Sequence, residues 1–165
     1  MLNKKNLITV IILFIISGKI NATVSTGSLP ISTIVSANCT LTSAVLNFGN
    51  YDPIHANISA PLNGTTTFQI ACTKGSNAVI SLNNGLNSSN AQGTTRAMSD
   101  GSGHYLSYEL YSNSGRSNIW SNTNPVAYAS TSSTAISEII YGKIPAAQNS
   151  TAGNYIDTVT ITATF

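Results

Sequence analysis

The clearest hydrophobic pattern in the chain is a strict alternation over residues 155–165. From Thr158 to Thr164 threonines occupy every second position, and the alternate positions from Tyr155 to Phe165 are apolar or aromatic apart from one charge, Asp157. Such a period of two predicts a β-strand with one face on a core and one in water. No further strand follows in the sequence, so we expect one edge to be open to another chain. The apolar face consists of Tyr155, Val159, Ile161, Ala163 and Phe165.

Other short alternating segments predict further strands, and turn-rich stretches separate them. There is no internal repeat, heptad or long helical pattern, so the chain is typical of an all-β sandwich. The Asn-, Ser- and Gly-rich residues 83–103 are predicted to be loop, and residues 121–134 are left without an assignment. The predicted strands cover residues 29–35 leading into Cys39, then 41–48, 66–72, 78–82, 105–111 and 136–144.

The first 22 residues have the pattern of a secretory signal peptide. Two lysines precede an almost unbroken apolar run over residues 7–16, and small residues follow up to Ala22. We expect cleavage after Ala22, in a chain exported through the periplasm. The alternative is an uncleaved anchor, but the apolar run is too short for a comfortable membrane span.

Charge is sparse beyond residue 22, where four basic and five acidic residues give a formal balance of about −1. No basic patch indicates nucleic acid or anionic lipid as a partner. Asn, Ser, Thr and Gly must therefore cover the surface, which suits an extracellular assembly that packs against copies of itself. The basic residues are Lys74, Arg96, Arg116 and Lys143, and the acidic ones are Asp52, Asp100, Glu109, Glu138 and Asp157.

Cys39 and Cys72 are the only cysteines. In an exported protein an even pair predicts a disulfide. The enclosed loop of about 32 residues would contribute about 3–4 kcal/mol on the chain-entropy model. The alternative, a metal site, lacks a CxxC motif, and the two histidines stand at no ligand spacing.

Candidate catalytic chemistry is weak, so we expect neither an enzyme nor a cofactor. His55 and His104 lie near no nucleophile motif, the carboxylates form no pair suited to glycoside hydrolysis, and no glycine-rich loop has the phosphate-binding pattern. Trp120 with Tyr105 and Tyr111 could form a platform for stacking on sugars. Aromatic residues on a sandwich are more often core or strand-pairing residues, and we favour that interpretation.

Three groups of segments stand in order along the chain. The first group is residues 35–40 and 46–53; the second is residues 96–98 and 105–111 with Trp120; the third is residues 141–145 and 152–161. Each group alone is a weak signal, whereas the set covers essentially the whole chain after the signal peptide. Together they resemble the spore coat protein U domain family, which includes subunits of archaic (Csu-type) chaperone–usher pili.

This resemblance implies an incomplete immunoglobulin-like β-sandwich that lacks its last strand and is completed by a donor strand. A periplasmic chaperone would lend the strand first, and the N-terminal extension of the next subunit would replace it at an outer-membrane usher. The implied layout is a signal peptide at 1–22, a donor extension at 23–37 and a sandwich domain at 38–165. The donor positions would be Val24, Leu29, Ile31 and Val35, and the apolar face of residues 155–165 would line the acceptor groove.

The function implied is that of a structural pilus subunit that polymerises with copies of itself or related subunits and supports adhesion and biofilm formation at the cell surface. One alternative is a secreted coat or matrix protein of the same fold. Another is a carbohydrate-binding adhesive module, although the chain has room for one domain only.

Overall fold

The computed structural model describes residues 18–165. The chain divides into a segment that runs to Ile34 and a domain that spans Val35–Phe165. Residues 18–34 form no helix or strand, and their side chains are exposed. The predicted signal peptide lies outside the described residues up to position 17. No helix within the described part of the chain is long and apolar enough to cross a membrane.

The domain is an all-β sandwich of two antiparallel sheets, as the sequence predicted. The larger sheet has the order β1-β2-β7-β5-β4 and the smaller one β6-β3-β8. A single turn of 3₁₀-helix covers Ser88–Asn90. The strands are β1 Cys39–Leu41, β2 Leu62–Cys72, β3 Asn77–Leu82, β4 Arg96–Ser99, β5 Tyr105–Tyr111, β6 Val126–Ala129, β7 Ile136–Ile144 and β8 Ile161–Thr164.

The core lies between the sheets and is built mainly on β2, β5, β7 and β3. β2 and β7 pair over nine positions, from Leu62 with Ile144 to Ile70 with Ile136. Alternate side chains of these strands point inward, because successive residues of a strand face opposite sides of the sheet. The core cluster contains Phe68, Ile70, Cys72, Ala78, Ile80, Leu82, Leu106, Tyr108, Leu110, Trp120, Ile140 and Ile144.

The predicted strands ahead of β2 were too long. Between residue 18 and Cys39 there is no strand, and β1 pairs with β2 over three residues only. A strand needs a neighbour to satisfy its backbone groups, and residues 29–35 form no ladder in this chain. Beyond Leu41, alternate burial continues through Ala44, Leu46 and Phe48, but the ladder does not.

The prediction of a loop over residues 83–103 was wrong for β4. This strand pairs with β5, with Arg96 opposite Tyr108 and Ser99 opposite Tyr105. Its arginine is buried, so the segment lacks the polar–apolar alternation that identifies a strand. The unassigned residues 121–134 contain β6, which pairs with β3.

The last predicted strand is also divided. Ile156 pairs with Ser99 of the larger sheet, and only Ile161–Thr164 pair with β3 of the smaller one. The chain therefore crosses from one sheet to the other over residues 157–160. Half-buried and exposed residues still alternate along it, as predicted.

Cys39 and Cys72 are joined by a disulfide between the ends of β1 and β2. The two residues are also paired in the ladder. The bond therefore fixes the short first strand to the centre of the fold.

Candidate functional site

A groove opens in the smaller sheet's layer, beyond β8. Its first wall is segment 43–49, and its second is the C-terminal segment 155–161. The floor is the inner face of the larger sheet, where β2, β5 and β7 lie. The position next to β8 in this layer is thus empty of any strand of the described chain. Apolar residues lining it include Ala44, Leu46, Phe48, Leu110, Ile140, Val159 and Ile161.

Both walls present backbone edges without partners. Thr42 N–H donates to the carbonyl of Gln69 at 3.0 Å, but residues 43–48 make no backbone hydrogen bond to any residue in 18–165. On the other wall, β8 pairs with β3 on one side only. Unpaired edges of this kind are templates for a further strand. The groove can therefore accept an extended chain that bonds to both walls.

Two facing glycines allow segment 43–49 to lie close to the floor. Gly64 of β2 is directly opposite Gly142 of β7. A Cβ atom on Gly142 would lie 2.6 Å from both Leu46 Cδ2 and Phe48 Cζ. The ring of Phe48 in turn meets that of Tyr108 edge-on, with centroids 6.2 Å apart. The lack of a side chain at these two glycines thus determines how closely the first wall packs on the larger sheet.

The one charge on the inward face of the second wall has three hydrogen-bond partners. Asp157 accepts from the Tyr108 hydroxyl at 2.7 Å, the Leu86 N–H at 2.8 Å and the Asn87 amide at 3.4 Å. Burial, and then the hydrogen bond to Asp157, raise the pKa of Tyr108 well above its ordinary value. The phenol therefore stays protonated and donates to the carboxylate.

Behind the second wall lies a buried ion pair that sequence reasoning missed. Arg96 and Glu109 bond to each other and are 0% and 1% exposed. Arg96 also donates to the carbonyls of Asn83 and Trp120, both at 2.8 Å. Asn83 N–H donates to the Thr160 carbonyl at 3.1 Å, which links this network to the wall. No local pattern in the sequence indicates this pair, because Arg96 and Glu109 stand 13 positions apart.

The predicted groove residues share one face of the C-terminal segment. Tyr155, Val159, Ile161 and Ala163 are half-buried and pack against the core. Phe165 follows β8 and is 54% exposed. The predicted donor residues are all exposed in this chain; they are Val24, Leu29, Ile31 and Val35.

The residues that the sequence offered as candidates for catalysis, sugar stacking or metal binding do not lie together in one site. The Nδ1 atom of His55 lies 3.4 Å from Oδ2 of Asp52, and Nδ1 of His104 lies 2.7 Å from Oδ2 of Asp100. Trp120 is buried and donates from Nε1 to the Ile80 carbonyl at 2.8 Å, so its ring is not available to stack on a sugar. Within the described residues, no three His, Cys, Asp or Glu side chains lie together as metal ligands would.

Comparison with known proteins gives consistent matches. The model of the Spore Coat Protein U domain matches residues 25–162. Protein U of Myxococcus xanthus is 37% identical over 127 residues, which cover 73% of this chain and 71% of the relative. Among solved structures, one chain of the CsuC–CsuE complex, a chaperone with a tip adhesion subunit from archaic chaperone–usher Csu pili of Acinetobacter baumannii, superposes with a TM-score of 0.55 at 24% identity. The match covers 79% of this chain and 40% of the solved one, so it supports the fold.

Proposed function

Because the chain belongs to the Spore Coat Protein U domain family, we propose that it is a structural subunit of a chaperone–usher surface pilus and polymerises by donor-strand exchange. Residues 1–22 direct export, residues 23–37 are the donor extension, and residues 38–165 are the sandwich. A periplasmic chaperone occupies the groove first and an outer-membrane usher directs exchange for a neighbouring subunit. The fibre supports adhesion and biofilm formation at the cell surface.

The observation that carries this proposal is the groove with an unpaired backbone edge on each wall. A strand placed there would bond to segment 43–49 on one side and to β8 on the other. It would also cover the half-buried side chains of both walls. One inserted strand would therefore satisfy backbone groups and bury apolar area together, as in β-augmentation.

The N-terminal segment of a second copy is the proposed occupant in the fibre. Leu29 and Ile31 are 83% and 87% exposed, in a stretch without charge. Burial of each such side chain in the groove would contribute about 1.5–3 kcal/mol. Pro30 has no N–H, so it must sit where its nitrogen faces away from a partner strand.

The proposal can be tested with two complementary variants of the protein. Deletion of residues 24–30 removes the donor and leaves the groove, whereas Ile161→Lys places an ammonium in the groove and leaves the donor. We expect the unmodified protein to form a heat-resistant ladder on gels. Each variant alone should stay monomeric, and an equal mixture should stop at a dimer in which the Ile161→Lys chain is the donor.

Thr162→Lys is the matched control, because Thr162 is the next residue of β8 and faces away from the groove. It adds the same charge to the same strand, and it should polymerise like the unmodified protein. Long heat-resistant fibres from the deletion variant alone would exclude residues 24–30 as the donor.

The second candidate is a coat protein of the same fold that forms no pilus, and the name of the family favours it. Under that function, deletion of residues 24–30 would leave assembly on a surface intact. The mixing experiment therefore separates the two candidates.

A further inference from the structure

We infer that Asp157 is the positioning residue of the groove's second wall. Its carboxylate fixes the C-terminal segment where it crosses between the sheets, before a strand enters. The inference rests on the proposed strand-accepting function, and it adds which side chain prepares the site.

Asp157 is the first of three consecutive residues in this wall whose backbone groups make no hydrogen bond within the described chain. Ile156 exchanges two hydrogen bonds with Ser99 of β4, and Thr160 exchanges two with Asn83. The backbone groups of residues 157–159 bond to no residue within 18–165. Between these two anchor points, the side chain of Asp157 therefore supplies the hydrogen bonds that join the wall to the rest of the domain, beside the apolar packing of Val159.

The partners of Asp157 come from two different parts of the sandwich. Tyr108 belongs to β5 of the larger sheet, whereas Leu86 and Asn87 belong to the loop after β3 of the smaller one. A single carboxylate thus ties the crossing segment to both sheets at once. Val159 faces the groove and lies between this tie and the anchor at Thr160.

The loop is shaped to receive the carboxylate. Gly85 has a φ of +74°, and a Cβ atom at this position would overlap sterically with the Asp157 carboxylate. Only glycine combines that backbone conformation with such a close approach. An alanine at this position would displace the carboxylate without changing its charge.

The test measures insertion of a labelled synthetic peptide of residues 24–35 into purified protein from which residues 24–30 are deleted, so that no neighbouring copy fills the groove. Asp157→Ala should slow insertion about tenfold, since it removes hydrogen bonds to a charged group. Asp157→Asn keeps an acceptor for the Leu86 N–H and should recover part of that rate. Thr158→Ala, on the exposed face of the same segment, should leave the rate unchanged.

A second measurement does not depend on the peptide. Hydrogen–deuterium exchange of the free protein should show faster exchange at residues 157–161 in Asp157→Ala than in Thr158→Ala. Gly85→Ala should act through the same carboxylate, so it should slow insertion much less when Asp157 is already alanine.

The outcomes separate the two proposals. If the protein that lacks residues 24–30 does not take up the peptide, the donor-strand function is rejected, and hydrogen–deuterium exchange alone decides whether Asp157 positions the wall. If Asp157→Ala lowers the unfolding temperature but leaves both insertion and exchange unchanged, Asp157 has only a general stabilising role and the inference is overturned.

Discussion

Gly142→Ala should disturb the first wall of the groove more than Gly64→Ala, although the two glycines face each other. The added methyl group on residue 142 would lie 2.6 Å from Leu46 and Phe48, whereas on residue 64 the nearest distances are 3.0 Å. Alanine favours a strand over glycine by about 0.5–1 kcal/mol because it restricts the unfolded chain. Overpacking costs about 1–3 kcal/mol, so the expected net loss of stability for Gly142→Ala lies between about 0 and 2.5 kcal/mol.

Urea unfolding of each variant, followed by tryptophan fluorescence, measures these free energies through Trp120. We expect Gly64→Ala to be close to neutral, because its neighbours need to give by a few tenths of an ångström only. In a Leu46→Ala background the cost of Gly142→Ala should fall, which a double-mutant cycle reports directly. Equal losses at the two glycines, or no coupling to Leu46, would refute the close packing of the first wall, segment 43–49, on the floor of the groove.

Three further predictions concern the stability and the face pattern of the domain. Cys39→Ser should lower the free energy of unfolding by about 2–5 kcal/mol relative to the oxidised protein in thermal unfolding, and a reductant added to the variant should cause no further loss. Val159→Lys should reduce peptide uptake, because an ammonium in the filled groove is unpaired, while Thr160→Lys on the exposed face should not. Arg96→Leu should cost about 3–5 kcal/mol by leaving the Glu109 carboxylate buried without a counter-charge, and Arg96→Leu combined with Glu109→Leu should be less harmful in the same unfolding assay.

The sequence predicted the strands in which polar and apolar residues alternate. Residues 66–72 and 136–144 follow this rule because one face lies on the core and the other in water. β4 does not follow it, since Arg96 is buried with its neighbours and its charge is satisfied by Glu109. A buried ion pair depends on residues 13 positions apart that meet only in the folded chain.

The groove could be predicted only in part. Alternation placed Tyr155, Val159 and Ile161 on one face, and the structure agrees. The other wall was predicted as an ordinary strand, because the pattern of Ala44, Leu46 and Phe48 reports burial and not hydrogen bonding. The partners of Asp157 lie 49 to 71 positions away, so no local pattern could reveal them.

The disulfide has a mechanical consequence for any force that reaches the domain through its N-terminal segment. Such a force arrives at Cys39, and the covalent bond passes it directly to Cys72 at the end of β2. Segment 43–49 lies inside the loop that this bond closes, so it is bypassed by the shortest covalent path. Tension along the chain would therefore leave the first wall of the groove unstretched. In the reduced protein the same tension would run through the three-residue β1 and into that wall, which would be the first part of the domain to yield.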